Sequence, residues 1–254
     1  MIPFFVQSPL LRTVRGVYHA FPGIDPVHGR KLHDQLRQAF SVPPSRVGTL
    51  RQVHSATVLE MAETDADVPG RRWREGDALW TAAQGTGVGV RTADCVPVLL
   101  AHRTLPVCAA IHAGWRGMAA GVIGETVRRI AAGFGPGAVA GLVAAAGPSA
   151  KSCCYEVGED AAGPLRECPG GGLRLNKGRT PGKWRADLQL LAADALLAAG
   201  IPPENVETAG PCTICSPRFH SFRREKSLTG RQLSFIYKWD FAERIQSIPG
   251  QDII

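Results

Sequence analysis

The stretch RTADCVPVLLAHRTLPVCAAIHAGWRG, Arg91 to Gly117, contains two short apolar runs that a few turn residues separate. VPVLLAH and VCAAIHA have the length and composition of strands. Cys95 stands immediately before the first run, and His112 lies at the end of the second. Residues at strand ends project at the edge of a sheet, where α/β proteins build their sites, so the stretch predicts both a sheet and a site.

The flanking sequence alternates short strands with helices. ALWT and GVGVRT precede the stretch as strand-like runs, and GAVAGLVAAA follows it as another. Residues 118–135 have the small and apolar residues of a helix packed on a sheet. Residues 186–200 form the clearest amphipathic helix, and residues 29–40 also have helical spacing. We therefore predict an α/β fold with mixed β-sheets flanked by helices.

Residues 1–254 are expected to form one compact domain. A chain of 254 residues with 44% hydrophobic content can bury one large core. Residues 168–183 are rich in Gly, Lys and Arg and lack apolar periodicity, which predicts a long surface loop. No independent second core is expected to begin near Gly163.

Membrane and secretory classes are not expected from the sequence. Gly, Pro, Arg or His interrupts every apolar segment before the roughly 18 to 20 residues that a bilayer span requires. The N-terminal run lacks a preceding basic residue and a small-residue cleavage site, which argues against a signal peptide. We expect a soluble, cytoplasmic protein.

The chain is basic, with 29 Lys and Arg against 22 Asp and Glu and a formal charge of +7. Its basic clusters are separate, and no helix-turn-helix, zinc-finger or RNP-like signature is present. The charge therefore favours small phosphate-bearing molecules over nucleic acid as partners.

Seven scattered cysteines predict reduced thiols rather than a disulfide framework. The pair Cys212-Thr-Ile-Cys215 has no second CxxC, and we interpret it as structural. The adjacent Cys153 and Cys154 are expected to point apart, so that at most one of them faces a site.

Three candidate ligands end or begin strand-like runs: His54 in RQVHSATV, Cys95 and His112. Two imidazoles and one thiolate bind tetrahedral zinc with a fourth position open, which is the arrangement of catalytic zinc. The alternative for Cys95 is a small buried hydrophobe, and for each histidine a structural hydrogen bond. The spacings match no local metal signature and leave these interpretations open.

The motifs QVHSATV, GDALWT, TADCVPVLL, HAGWRG, CCYEVG and SFRREKSLTGR, in this order, resemble the laccase-domain family, also called the polyphenol-oxidase family. The resemblance runs from about Arg51 to about Ile236. It implies the laccase-domain fold, which is cysteine-hydrolase-like. In that family the His of QVH, the Cys of ADC and the His of HAGW form the metal site, and they correspond to His54, Cys95 and His112.

One region departs from the family pattern. Members usually carry a TR-x-GGVS stretch near the N-terminus, then an Asn-rich loop and an NR-containing helix. Here YHAFPG leads directly into IDPVHGRKLHDQL, and only residues 19–21 resemble the start of that region. A shortened pocket wall and an altered substrate range are expected.

The resemblance implies three classes of activity. Members have been described as zinc-containing purine nucleoside phosphorylases with adenosine deaminase activity, as copper-dependent phenol oxidases, and as peptidoglycan editing factors. Zinc lowers the pKa of a bound water and provides a nucleophile for deamination of adenosine, so we favour the first class. A multicopper oxidase needs more histidines than seven scattered ones provide, although one copper is compatible with the ligands. A Cys-His amide hydrolase with Cys95 as nucleophile is the third hypothesis.

Phosphorolysis also needs cationic contacts for phosphate. Arg116 and the Gly117 amide lie where a helix is expected to begin after HAGW, a favourable place for an anion. Arg223, Arg224 and Arg231 are further candidates, with solvated surface arginines as the alternative.

Asp94, next to Cys95, is a candidate to orient a ligand or shuttle a proton, and capping of a turn is the alternative. Tyr155 and Glu156 are expected to support the pocket.

Overall fold

The computed structural model describes residues 4–24, 47–62, 74–226 and 230–238. The helix predicted at residues 29–40 lies outside the described residues. The two apolar runs of the Arg91–Gly117 stretch form neighbouring antiparallel strands, which makes this hairpin the centre of the largest sheet.

The largest sheet has six strands in the order β13-β9-β7-β8-β5-β4. Most neighbours in it are antiparallel, but β4 and β5 are parallel, as are β9 and β13. The sheet is therefore mixed, as predicted. Its strands are β4 (Val58–Glu60), β5 (Ala78–Thr81), β7 (Val96–His102), β8 (Cys108–Ala113), β9 (Leu142–Ala146) and β13 (Val206–Thr208).

Two smaller sheets accompany it. One has five strands in the order β1-β2-β14-β6-β3, and the other has three in the order β10-β12-β11. The five strands are β1 (Phe5–Val6), β2 (Val17–Pro22), β3 (Val47–Gly48), β6 (Gly87–Thr92) and β14 (Gln232–Lys238). The three strands are β10 (Glu156–Val157), β11 (Leu175–Lys177) and β12 (Trp184–Ala186).

Along the chain, the described helices occur in the segments that connect these strands. They are α1 (Pro9–Arg12), α2 (Trp115–Ala119), α3 (Val122–Phe134), α4 (Glu159–Arg166), α5 (Gly171–Arg174), α6 (Leu188–Ala198) and α7 (Phe222–Glu225), with 3₁₀ turns at Pro136–Gly141 and Pro203–Asn205. The predicted helix at 186–200 is confirmed as α6. Its N-cap is Asp187, whose carboxylate accepts the N–H of Leu190 at 3.0 Å.

The six-stranded sheet is the middle layer, because β7 is buried on both faces. Val98 and Leu100 pack with helices α3 and α6, whereas Leu99 and Ala101 pack with β2, β6 and β14 of the five-stranded sheet. Alternate residues of a strand point to opposite faces, so a strand covered on both sides must be apolar throughout. This explains the uninterrupted run VPVLLA.

The predicted α/β class with mixed sheets and flanking helices is confirmed. Residues of α4 and α6, such as Leu165 and Leu191, share one apolar cluster with β7 and β8. Within the described ranges, no helix combines the length and apolar character that crossing a bilayer would demand.

Two sequence predictions about local structure were wrong. The single helix predicted at 118–135 is two helices, α2 and α3, because Gly121 has a φ of 82° that breaks the first helix before the second begins. The predicted loop at 168–183 contains α5 and β11. Periodicity missed them because each is only three or four residues long.

Candidate metal centre

Four strand ends meet at one edge of the six-stranded sheet, and three of them carry the predicted ligands. Strand β7 pairs with β8 so that Pro97 lies opposite His112, which brings Cys95, just before β7, beside the end of β8. Strand β5 pairs antiparallel with β8, and β4 runs parallel to β5. The segment before β4, which carries His54, therefore reaches the same edge.

The structure brings the three predicted ligands together. One ligand atom from each of His54, Cys95 and His112 can be chosen so that all lie within 4.8 Å of one another. The Cys95 Sγ is 3.9 Å from the His54 Nε2, and the two imidazole centroids are 4.8 Å apart at an interplanar angle of 76°. Tetrahedral zinc with ordinary bond lengths sets its S and N ligands about 3.6 Å apart, so the observed spacing suits one shared ion.

His112 is buried at the base of the centre, whereas His54 is exposed and Cys95 is intermediate. A ligand set with one side open to solvent leaves room for a small molecule. Three protein ligands, and not four, distinguish the centre from a closed structural metal site.

Asp77 is a central residue of the site that sequence reasoning did not select. Its carboxylate is fully buried just before β5 and lies 2.8 Å from the His112 Nδ1. It also accepts the backbone N–H groups of His54 at 2.9 Å and Ser55 at 2.6 Å, and the Ser55 hydroxyl at 2.8 Å. One carboxylate thus fixes both a ligand side chain and the loop of the other histidine. The sequence signal was the acidic residue in GDALWT at the start of a buried strand.

The Asp77 contact also fixes the proton of His112. An ionised carboxylate only accepts hydrogen bonds, so the His112 Nδ1 donates and its Nε2 remains for a ligand. Carboxylate partners of this kind orient metal-binding histidines and raise their basicity.

The ionisable side chains of the centre strongly shift one another's pKa values. Burial raises the pKa of the Cys95 thiol, but hydrogen bonding and charge from His112 and His54 outweigh burial and lower it to about 6. Burial lowers the pKa of His112, yet Asp77 and the Cys95 thiolate together raise it to about 9. For Asp77, burial raises the pKa, and hydrogen bonds from His112 and Ser55 bring it down to about 2. Without metal, the centre holds a thiolate beside an imidazolium at neutral pH.

Gly114 is the residue that leaves room for the ligands. An added Cβ there would lie 3.0 Å from both the Cys95 Sγ and the His54 Cδ2. Its φ of −75° is ordinary, so space and not backbone freedom requires glycine here. The glycine of HAGW therefore has a steric role in the centre.

Two residues of the ligand-bearing turns have left-handed backbones, His54 with φ 61° and Asp94 with φ 85°. Such conformations are strained for residues other than glycine and persist where surrounding contacts hold them. At His54 the Asp77 carboxylate supplies that contact through the backbone N–H.

Asp94 supplies a second set of holding contacts. Its buried carboxylate accepts the Thr213 hydroxyl at 2.7 Å, the Ser221 hydroxyl at 3.1 Å and the Arg223 backbone N–H at 2.7 Å. The Asp94 oxygens are thus engaged by the segment that runs from β13 to α7. These contacts join the Cys95 turn to that segment.

The candidate phosphate contacts differ in their surroundings. The exposed Arg223 guanidinium lies 4.9 Å from the centroid of Tyr155. Burial first, and then the nearby Cys95 thiolate, raises the pKa of Tyr155, which places this ring beside the centre. Arg116 is exposed in α2 and lies 4.2 Å over the Trp115 ring.

Arg224 has a different set of contacts. Its Nη1 donates to the carbonyls of Thr213, Ile214 and Ser216 at 2.8 to 3.1 Å, and its Nη2 donates to the Phe219 carbonyl at 2.6 Å. The guanidinium therefore braces the loop and leaves few donors for an anion. Glu156 accepts from the Arg179 N–H and the Thr180 hydroxyl and so stabilises the three-stranded sheet region.

The chain is similar to known proteins in both its sequence and its structure. Residues 25–238 match the family described as multi-copper polyphenol oxidoreductase laccase. A purine nucleoside phosphorylase of Clostridium acetobutylicum is 36% identical over 206 residues, 80% of each chain. An adenosine deaminase of an unknown prokaryotic organism is 34% identical over 201 residues, 74% of this chain and 73% of its own. The crystal structure of YlmD from Geobacillus stearothermophilus superposes with a TM-score of 0.82 at 26% identity, over 92% of this chain and 94% of that one.

Proposed function

The chain belongs to the family described as multi-copper polyphenol oxidoreductase laccase, and we propose that it is a zinc-dependent purine nucleoside phosphorylase with adenosine deaminase activity. Relatives named as a purine nucleoside phosphorylase and as an adenosine deaminase support nucleoside processing. The observation that carries the proposal is the convergence of His54, Cys95 and His112 at an open sheet edge.

The donor set fits zinc. Two imidazoles and a thiolate are borderline to soft ligands, and the Cys95 pKa of about 6 makes the thiolate available at neutral pH. Asp77 accepts the His112 Nδ1 proton, so Nε2 is the nitrogen that would bind the metal as its own proton is lost. When bound in such a three-ligand site, zinc supplies a Lewis acid that lowers the pKa of water in its open position toward neutrality.

The protein groups around the centre have separate tasks in this proposal. His54, Cys95 and His112 hold the metal, and Asp77 holds His112 in the correct tautomer. We assign Asp94 a positioning role, in which it holds the Cys95 turn against the segment before α7, because three donors engage its oxygens.

Phosphate binding is assigned to Arg116 and Arg223. Both are exposed cations on segments that border the centre, one in α2 directly after Gly114 and the other beside Tyr155. Arg224 supports this site indirectly by holding the loop backbone. A cationic anchor would keep phosphate in line for attack on the sugar carbon while the purine leaves.

Copper phenol oxidation is the less favoured activity. Coupled multicopper chemistry uses many histidine ligands. Among the described residues, the candidate metal groups contain only two histidines, His54 and His112. This ligand set suits one metal ion.

A Cys-His hydrolase is the second candidate function, favoured by one observation. The Cys95 Sγ lies 3.9 Å from the His54 Nε2 and carries a depressed pKa, as a nucleophilic cysteine beside a histidine does. Its thiolate would attack an amide carbonyl to form a thioester, and the amine would leave with a proton from the neighbouring imidazole. Water would then hydrolyse the thioester and restore the thiol.

The deciding experiment measures zinc content and the release of base from inosine, with and without phosphate. Cys95→Ala and His112→Ala are each expected to lose the zinc of this centre, one ion per chain, together with phosphate-dependent base release, because two remaining ligands hold zinc poorly. Cys168→Ser is the matched control, since Cys168 lies outside the centre, and it should retain both. Adenosine is assayed in parallel for ammonia release.

Removal of zinc by a chelator and alkylation of the Cys95 thiol distinguish a zinc-dependent phosphorylase from a Cys-His hydrolase. A Cys-His hydrolase stays active on an amide after zinc is removed and is inactivated by thiol alkylation. Full phosphorolysis by thoroughly metal-free protein would contradict the zinc proposal.

A further inference from the structure

A second cluster of possible metal ligands lies outside the centre described above. One sulfur from each of Cys153, Cys154, Cys212 and Cys215 lies within 4.8 Å of the others. Cys153 and Cys154 are in the turn after β9, and Cys212 and Cys215 are in the loop after β13. We call this group the four-cysteine cluster.

The cluster corrects one expectation from the sequence. The adjacent cysteines do not point apart, because the Sγ atoms of Cys153 and Cys154 lie 3.4 Å and 3.0 Å from the Cys215 Sγ. The CxxC pair has no second CxxC in the sequence, but the adjacent pair Cys153 and Cys154 lies beside it. A search for two CxxC motifs could not find this arrangement.

The topology explains why the two pairs meet. Strands β9 and β13 are parallel neighbours, so the segments that leave them run side by side in the same direction. A parallel bridge between Ser149 and Cys212, with the Thr213 N–H donating to the Ser149 carbonyl at 3.0 Å, continues this pairing beyond the strands.

A tight turn then directs both adjacent cysteines inward. The N–H groups of Cys154 and Tyr155 both donate to the Lys151 carbonyl, at 3.1 Å and 2.9 Å. In a helix-like turn successive side chains differ in direction by about 100°, whereas in a strand they point to opposite faces. Two neighbouring thiols can therefore face one point.

Cationic side chains lie beside the loop that carries the CxxC pair. The Lys151 Nζ donates to the Gly210 carbonyl at 3.0 Å, and the Arg224 guanidinium binds the Thr213 and Ile214 carbonyls. Two cations thus flank the loop that carries the CxxC pair.

We propose that Cys153, Cys154, Cys212 and Cys215 bind a structural zinc ion as a closed four-thiolate site. Four sulfurs around tetrahedral zinc lie about 3.8 Å from one another, and the separations in the cluster run from 3.0 Å to within 4.8 Å. Four protein ligands leave no open position, so this site stabilises structure and performs no chemistry. As each Zn–S bond forms, the S–H bond of that thiol is lost and its proton passes to solvent, with no change of oxidation state.

The bound ion would brace one wall of the candidate metal centre. Thr213, between the two cysteines of the CxxC pair, donates to Asp94, the neighbour of Cys95. Tyr155, which follows Cys154, lies under the Arg223 guanidinium. An ion that holds both cysteine pairs would therefore also hold the Thr213–Asp94 contact and the Tyr155–Arg223 contact in place.

Zinc content of the full chain, purified with reductant, tests this site. Cys215→Ser is expected to contain one zinc fewer per chain than the wild type, whereas the control Cys168→Ser is expected to match the wild type. The same loss should occur in a His112→Ala background, which separates this ion from the one assigned to the other centre. Zinc content unchanged by Cys215→Ser would overturn the proposal.

Thiol labelling of the wild-type chain gives a test that needs no variant. Cys153 and Cys215 are exposed, yet bound zinc should protect them from alkylation until a chelator is added. Cys168 should label to the same extent with and without chelator. Equal labelling of the exposed cluster cysteines under both conditions, a Cys154–Cys215 disulfide in the protein as isolated, or stoichiometric iron in place of zinc would each refute the four-thiolate zinc site.

Discussion

The Nδ1 of His112 lies 2.8 Å from the Oδ1 of Asp77, and both side chains are buried. This contact joins the end of β8 to the start of β5, and the same carboxylate accepts the N–H of His54. Asp77 therefore connects two of the three candidate metal ligands without being one of them. Oriented histidine ligands depend on such partners for affinity as well as geometry.

Asp77→Asn is expected to weaken zinc binding about 10- to 100-fold, because the neutral amide neither fixes the His112 proton nor raises its basicity. Competition with a chromophoric chelator measures the change. Glu75→Gln is the matched control, since Glu75 is a nearby exposed acid that pairs with Arg51 at 3.0 Å, and it should bind zinc like the wild type. Equal zinc affinity in Asp77→Asn and the wild type would contradict the assignment.

Gly114→Ala is expected to displace a ligand, because its Cβ would lie 3.0 Å from both the Cys95 Sγ and the His54 Cδ2. The expected result is weaker zinc binding at this centre with a folded circular dichroism spectrum. Gly124→Ala is the control: nothing lies within 4 Å of its Cβ, and it sits inside helix α3. That control should keep zinc and gain about 1 kcal/mol of stability from helix propensity.

The rate at which Cys95 is alkylated in chelator-treated protein is expected to rise with pH, with a midpoint at about pH 6, because the thiolate is the reactive form. The alkylation rate should be close to its maximum at pH 7. An ordinary thiol with a pKa of 9.0 is mostly protonated at that pH and reacts slowly. Mass spectrometry of the labelled peptide measures it. Cys108, whose pKa burial raises to about 12, should stay unlabelled while the protein is folded. A Cys95 midpoint near 9 would show that the histidines do not stabilise the thiolate.

The buried His19 is expected to make the fold acid-sensitive. Burial, and then the charge of Arg12, lower its pKa from 6.5 to about 4, and its Nε2 accepts the Ser8 N–H at 2.8 Å. The folded state therefore prefers the neutral ring, and this contribution is present above pH 6.5 and is lost as the pH falls toward 4. The expected loss of unfolding free energy is about 3 kcal/mol between pH 7 and pH 3.5.

Urea unfolding of His19→Gln measures this contribution, because glutamine keeps an acceptor for Ser8 but does not titrate. The variant should show a smaller loss of stability in acid than the wild type. Identical pH profiles for His19→Gln and the wild type would remove His19 as the source.

Arg223→Ala is expected to raise the KM for phosphate about 10- to 100-fold with zinc content unchanged, since a charged contact to the anion is lost. The backbone N–H that Arg223 donates to Asp94 remains in this variant, so the Asp94 contact is kept. Arg116→Ala should act in the same direction. Arg128→Ala, which removes an exposed arginine paired with Glu125, is the control. Loss of zinc in Arg223→Ala would indicate a structural role instead.

Several features of the fold and the centre could be predicted from the sequence, because they depend only on residues that are close together in the chain. The strands around Cys95 and His112 were visible as short apolar runs, and helix α6 was visible from its periodicity and its Asp187 cap. His54 was selected with Cys95 and His112 from its position at a strand-like run, and the motif resemblance supported the same three ligands. Asp77 was missed because an acidic residue before a strand resembles any turn residue until its partner is known.

The sequence by itself determined the residue types that can bind metal, the strands that carry them and the mixed α/β class. Tertiary structure alone decided which of them meet: Asp77 with His112 across the β5–β8 pairing, and Cys154 with Cys215, 61 residues apart, across the parallel β9–β13 pairing. The physical reason is that apolar periodicity and capping act within a few residues, whereas the pairing of distant strands depends on burying both faces of the central sheet together.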